Sequence, residues 1–112
     1  MKTEKMTVRP GEYQGVILPL SGYIAWFKLS LERGDFALLH SLVVEGKDKY
    51  GEDKTASLRS DDAKYDRVIV LNSFSEVSRI VAGVTSAEPV RLVVISSSEG
   101  RVPPVEAEEP AA

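Results

Sequence analysis

Residues 73–84, SFSEVSRIVAGV, are the stretch on which the choice of fold depends. Ser73 and Glu76 have the spacing of a capping box, in which each side chain bonds an exposed amide at the start of a helix. The apolar side chains behind the box fall on one side of a helix with 3.6 residues per turn: Phe74, Val77, Ile80, Val81 and Val84. The pattern predicts a helix that packs this stripe on a core.

The stretch before it favours strands. Residues 23–31, YIAWFKLSL, alternate in the way that is typical of a strand with one buried face. Shorter strand patterns occupy residues 13–20, 54–60, 67–71 and 90–95.

Residues 36–44 fit two structures. After Asp35 as a helix cap, apolar residues follow at helical spacing and Gly46 ends the helix. A strand with alternate side chains from Phe36 to Val44 on one face is equally compatible with the pattern. With a helix here, residues 23–95 have the order of an α+β ferredoxin-like βαββαβ sandwich, preceded by an extra N-terminal strand. With a strand, the chain is a β-meander or barrel with one helix.

The chain of 112 residues divides into three predicted parts. A flexible leader is predicted over residues 1–11, one folded domain over 12–98, and a disordered acidic tail rich in proline and glutamate over 99–112. Residues 1–98 contain 13 basic and 13 acidic side chains, and the tail contains one and four, so 1 − 4 accounts for the whole net charge of −3. Residues 1–98 taken together are therefore neutral.

Several classes of function are disfavoured. The chain contains no cysteine, no apolar run long enough for a membrane span, and no nucleotide-binding glycine loop. His40 is the only histidine and has no recognisable catalytic partners, so we expect it to be structural. We expect a soluble cytoplasmic protein that is not an enzyme and holds no metal or cofactor. The chain contains one asparagine, Asn72, and one glutamine, Gln14. A low content of these heat-sensitive residues is typical of hyperthermophile proteins, which suggests a thermophilic source.

One predicted sheet face has a composition suited to binding. Strand alternation collects an indole, several aliphatic side chains and four cations on the face opposite the predicted helices, and no carboxylate falls in that set. The candidate binding residues are Trp26, Lys28, Arg59, Arg67, Arg91, Ile24 and Ile69.

Two functions follow from that face. A non-catalytic protein that binds single-stranded DNA or RNA would stack a base on Trp26 and contact phosphates with the cations, much as open-sheet RNA-recognition folds do. The alternative is a protein–protein assembly or adaptor module, a homo-oligomer or complex subunit, that buries the same apolar side chains against protein. Both predict a macromolecular partner and no membrane.

Overall fold

The computed structural model describes residues 1–33, 37–59 and 64–99, together with the backbone of residues 107–108. Every regular element in these parts is a strand. The eight longer strands and one two-residue strand are β1 (Lys2–Val8), β2 (Gly11–Ile17), β3 (Trp26–Arg33), β4 (Ala37–Asp48), β5 (Asp53–Leu58), β6 (Val68–Val70), β7 (Phe74–Ser86), β8 (Val90–Ser97) and β9 (Ala107–Glu108). The predicted α+β ferredoxin-like sandwich is therefore wrong, and so is the alternative barrel with one helix.

The strands form two sheets that enclose the main core. The first sheet has the order β1-β8-β3-β6-β9 and the second β2-β7-β4-β5. All neighbours are antiparallel except β6 and β9, which are parallel. Large side chains that are almost fully buried fill the main core, among them Phe27, Leu42, Ile80 and Leu92. The molecule is thus a sandwich of two sheets, with one face of each sheet turned away from the core.

The leader predicted over residues 1–11 is an edge of this sandwich. β1 pairs with β8 from Lys2 to Val8, and Met6 and Val8 pack against the main core. The sequence does not predict this strand, because only two of its side chains are large and apolar and the others are polar. Most of the predicted tail lies outside the described residues.

The predicted helix over residues 73–84 is strand β7, and two bulges explain the error. Val77 and Arg79 lie opposite the consecutive residues Gly46 and Glu45, so Ser78 is an extra residue in β7. A second shift makes Ser75 extra in the same way. Each bulge stretches the two-residue period of a strand to three. The core-facing residues Phe74, Val77 and Ile80 are consequently three residues apart, as they would be on a helix.

The same effect accounts for residues 36–44. β4 begins at Ala37, so the helix prediction is wrong and the strand assignment is correct from there onward. The single face predicted for that strand is wrong, because Leu38 is exposed whereas Leu42 and Val44 are buried. Leu39 lies opposite Val84 and Ser41 opposite Gly83, which leaves His40 as the extra residue of a bulge. Leu39 and Leu42 both face the core although they are three apart. The predicted cap at Asp35 and residue 36 lie outside the described residues.

Candidate functional site

Trp26 is buried rather than exposed. Register places it opposite Val70, on the outer face of the first sheet, but its side chain is only 4% exposed. It belongs to a second apolar cluster with Ala25 and Val68, against which Val70 and Ile95 pack. The predicted position of the indole on an uncovered face is wrong, and a buried indole does not offer a base a stacking surface.

The two isoleucines of the predicted site belong to the main core. Ile69 lies opposite Phe27 in register, so both side chains point between the sheets. Ile24 lies in the chain before β3 and is 5% exposed in the same cluster. Alternation in β6 is the reverse of the predicted one, since a strand of three residues carries too little pattern to fix its register.

The four cations of the predicted site do not share a surface. Lys28 and Arg91 are on the outer face of the first sheet, whereas Arg59 follows β5 in the second sheet and Arg67 precedes β6. The face that holds Arg91 also contains Glu32, whose carboxylate lies 3.6 Å from Arg91 and 2.7 Å from Lys5. A face that is cationic and free of carboxylates is therefore not formed.

The outer face of the second sheet carries a different group of exposed side chains. Tyr13, Ile17 and Leu38 are 61%, 60% and 63% exposed, and half-buried Val43 and Val81 lie on the same face. Register aligns Ile17 of β2 with Val81 of β7 and Val81 with Val43 of β4. We call this surface, made of these five residues, the Tyr13 face.

Contacts with two neighbouring strands fix Tyr13 in place. Its ring lies over Gly83, where an added Cβ would be 2.6 Å from the Tyr13 Cζ atom. Its hydroxyl is 2.8 Å from the Ser41 Oγ atom, and its ring centroid is 5.3 Å from that of His40. The His40 Nε2 atom is in turn 2.8 Å from the Thr85 Oγ1 atom. The tyrosine thus extends from β2 across β7 to β4 and is held there while exposed.

Charged residues continue the same sheet face beyond the Tyr13 face. Arg79 contacts the Glu45 Oε2 atom through both Nε, at 2.6 Å, and Nη2. One step further along the strands, Lys47 lies opposite Glu76 of β7 and 3.1 Å from the Asp53 carboxylate of β5. The face is therefore apolar towards one end of the strands and charged, with both signs, towards the other.

Sequence reasoning missed the Tyr13 face although part of its signal is present. Tyr13, Gly15 and Ile17 alternate in a strand that the sequence does predict. The remaining residues come from β4 and β7. Because of their bulges, the sequence predicts a helix for β7 and fits either a helix or a strand for β4. A face built from three strands cannot be assembled from the pattern when one is assigned to a helix and another is left open.

The part of the chain that the structure describes meets the requirements of neither a metal site nor a membrane-spanning helix. Among the described residues, no group of three or more histidine, aspartate or glutamate side chains could hold a metal ion. In the same residues there is no helix long and apolar enough to cross a membrane. No family model, curated protein sequence or solved structure matches the chain. The geometry of the Tyr13 face is therefore the feature that bears on function.

Proposed function

We propose that this chain is a non-catalytic assembly protein of the cytoplasm that binds protein through the Tyr13 face. One observation carries the proposal: Tyr13, Ile17 and Leu38 are each at least 60% exposed on one face of one sheet. Large contiguous apolar patches are uncommon on isolated soluble proteins and mark interaction surfaces. Tyrosine and aliphatic side chains surrounded by polar residues are typical of a protein interface.

The rigidity of Tyr13 supports binding of this kind. Its ring is held over Gly83 and its hydroxyl contacts Ser41, so little side-chain freedom remains to be lost on association. Ordering a mobile side chain at an interface costs about 0.5–1.5 kcal/mol, which a side chain fixed beforehand largely avoids. An exposed and fixed aromatic ring is therefore a suitable anchor for a partner.

The nucleic-acid interface expected from the sequence is not part of this proposal. Trp26 is buried, and Lys28, Arg59, Arg67 and Arg91 are divided between the two sheets. Binding of a single strand needs an aromatic surface beside a continuous cationic groove. The Tyr13 face has one aromatic ring and is bordered by carboxylates as well as cations.

Differential capture from an extract of the source cells tests the proposal. The full chain serves as bait beside a double variant, Ile17→Ser with Leu38→Ser, and beside the control Tyr50→Ser. Tyr50 is 78% exposed but lies in the β4–β5 turn, away from the Tyr13 face. We expect a defined protein, which can be the chain itself, to be retained by the wild type and Tyr50→Ser and lost from the double variant. Equal retention by all three baits would refute the proposal.

A further inference from the structure

We infer that the protein seated on the Tyr13 face is a second copy of this chain, an inference that rests on the proposed function. The two copies are related by a two-fold axis that runs along the strands between β4 and β7. Within one copy, each β7 residue has a register partner in β4. Such an axis places that β7 residue over the same β4 residue of the second copy. The interface is then self-complementary, as a two-fold interface must be.

Charge complementarity favours this axis. On the charged end of the face, β7 carries Glu76 and Arg79, and β4 carries Lys47 and Glu45 opposite them in register. The axis places Arg79 of one copy over Glu45 of the second copy, and Glu76 over Lys47 of the second copy. Both placements bring opposite charges together. Each pair of opposite charges that is aligned within one copy is therefore also aligned between the two copies.

The apolar part of the face obeys the same operation. Val81 lies beside Val43 in register, so Val81 of one copy is placed over Val43 of the second copy. Tyr13 reaches Ser41 of β4 through its hydroxyl, which puts its ring close to the axis. Each ring then meets its symmetry mate on the axis, in the apolar part of the interface, where two aromatic rings can pack against each other.

A two-fold axis that crosses the strands at right angles fits the face less well. It reverses the strand direction, so that it places the charged end of one copy over the apolar end of the other. Arg79 and Glu45 would then be desolvated against Tyr13 and Leu38 without new charged partners, which is costly. The division of the face into two ends thus selects one arrangement.

The area of the whole outer face of the second sheet and the net charge of residues 1–98 also suit self-association. Four strands at about 4.8 Å spacing and about ten residues of length give roughly 600 Å² per copy, near the lower limit for specific interfaces. Residues 1–98 have 13 basic and 13 acidic side chains, so two such bodies do not repel through net charge. The dimer is therefore expected to be reversible and to depend on concentration.

Sedimentation of the full chain between about 10 µM and about 1 mM tests the inference. The wild type is compared with Arg79→Glu and with Glu45→Lys, each of which places like charges over one another in the dimer. Glu88→Lys is the control, because Glu88 is exposed in the turn between β7 and β8. We expect the wild type and the control to dimerise equally well. Each of the two charge-reversed variants should dimerise at least about tenfold more weakly.

An equimolar mixture of Arg79→Glu and Glu45→Lys gives the sharpest result. In the mixed dimer, two acidic residues of one copy lie over two basic residues of the other, so we expect dimers that neither variant forms alone. Recovery on mixing also shows that both variants are folded. No recovery, or dimerisation of the single variants as strong as that of the wild type, would overturn the inference.

Failure of the dimer inference can be distinguished from failure of the proposed function. A wild type that stays monomeric at every concentration overturns the second copy as the occupant. Selective capture of a different protein would still support the proposed function in that case. Failure of selective capture together with a monomeric wild type would remove both.

Discussion

Gly15 and Gly83 lie directly opposite one another in β2 and β7, yet only Gly83 lies beneath a side chain. A Cβ atom on Gly83 would be 2.5 Å from the Tyr13 hydroxyl oxygen and 2.7 Å from the Ser41 Oγ atom. At Gly15 the nearest atom is Val81 Cγ1 at 3.5 Å, an ordinary contact. The aromatic ring therefore covers one glycine of the pair and leaves the other exposed.

Gly83→Ala is expected to destabilise the protein by about 1–3 kcal/mol, because the Tyr13 ring must move off its site. Gly15→Ala is the matched control and should change the free energy of unfolding by less than about 0.5 kcal/mol. Urea denaturation of both variants measures the difference. In a Tyr13→Ala background the cost of Gly83→Ala should fall, and an undiminished cost would contradict the placement of the ring.

Gly46→Ala should be more damaging than Gly83→Ala. Its Cβ would collide with the backbone carbonyl oxygen of Glu76 and lie 2.9 Å from the Val77 Cα atom, at the place where the register of β4 and β7 shifts. Backbone atoms cannot rotate away as a side chain can, so we expect a loss of about 3 kcal/mol or more. Thermal unfolding measures it, and a melting temperature equal to that of the wild type would refute the bulged pairing.

The buried position of Trp26 makes a spectroscopic prediction. Since its side chain is 4% exposed, native emission should lie at short wavelength and be quenched weakly by iodide. Unfolding in guanidinium should shift the emission to the red and strengthen the quenching. Equal quenching of the native and unfolded states would contradict the second apolar cluster.

Ionisation of the Tyr65 hydroxyl should lower the free energy of unfolding at high pH. Burial raises the pKa of its hydroxyl from 10.0 to about 12, and the buried oxygen has no hydrogen-bond partner among the described residues. As pH rises above 10.0, the unfolded chain loses this proton before the folded chain does, so the free energy of unfolding falls until pH about 12. Below pH 10.0 both states keep the proton and the effect vanishes.

Tyr65→Phe tests both parts of that statement. Removing a buried and unpaired hydroxyl should leave the stability at neutral pH unchanged or raise it by about 1 kcal/mol. Denaturant titrations should also show a smaller decline for the variant than for the wild type between pH 10.0 and about 12. A loss of more than about 1 kcal/mol at neutral pH would indicate a hydrogen bond to this hydroxyl.

Three strands in which apolar and polar side chains alternate over most of the length are predicted from the sequence. β3 and β8 lie within or close to the predicted residues 23–31 and 90–95, and β5 lies within 54–60 apart from its first residue. The side chains alternate in β5 and β8, and in β3 from Trp26 to Leu31, so local pattern and final structure agree there. Glu32 is an extra residue near the end of β3. β7 and β4 contain extra residues at Ser75, Ser78 and His40, and the resulting three-residue spacing imitates a helix.

The candidate site depends on pairings that are distant in sequence. Tyr13 contacts Ser41 and Gly83, which are 28 and 70 residues away (41 − 13 and 83 − 13). The sequence predicts the strand that carries Tyr13 but contains no local signal for its neighbours in the sheet. Alternation places Trp26 on the outer side of β3, where the structure also has it, but alternation gives only the direction of a side chain and not what covers it.

Surface labelling tests the central claim, that another protein molecule covers the Tyr13 face. Three exposed tyrosines, Tyr13 at 61%, Tyr23 at 55% and Tyr50 at 78%, give an internal comparison within one chain. Hydroxyl-radical modification is compared between dilute purified protein and the same chain in concentrated extract of its source cells. We predict that Tyr13, with Leu38, becomes protected in the extract while Tyr23 and Tyr50 remain labelled. Undiminished labelling of Tyr13, or equal protection of all three tyrosines, would contradict the claim.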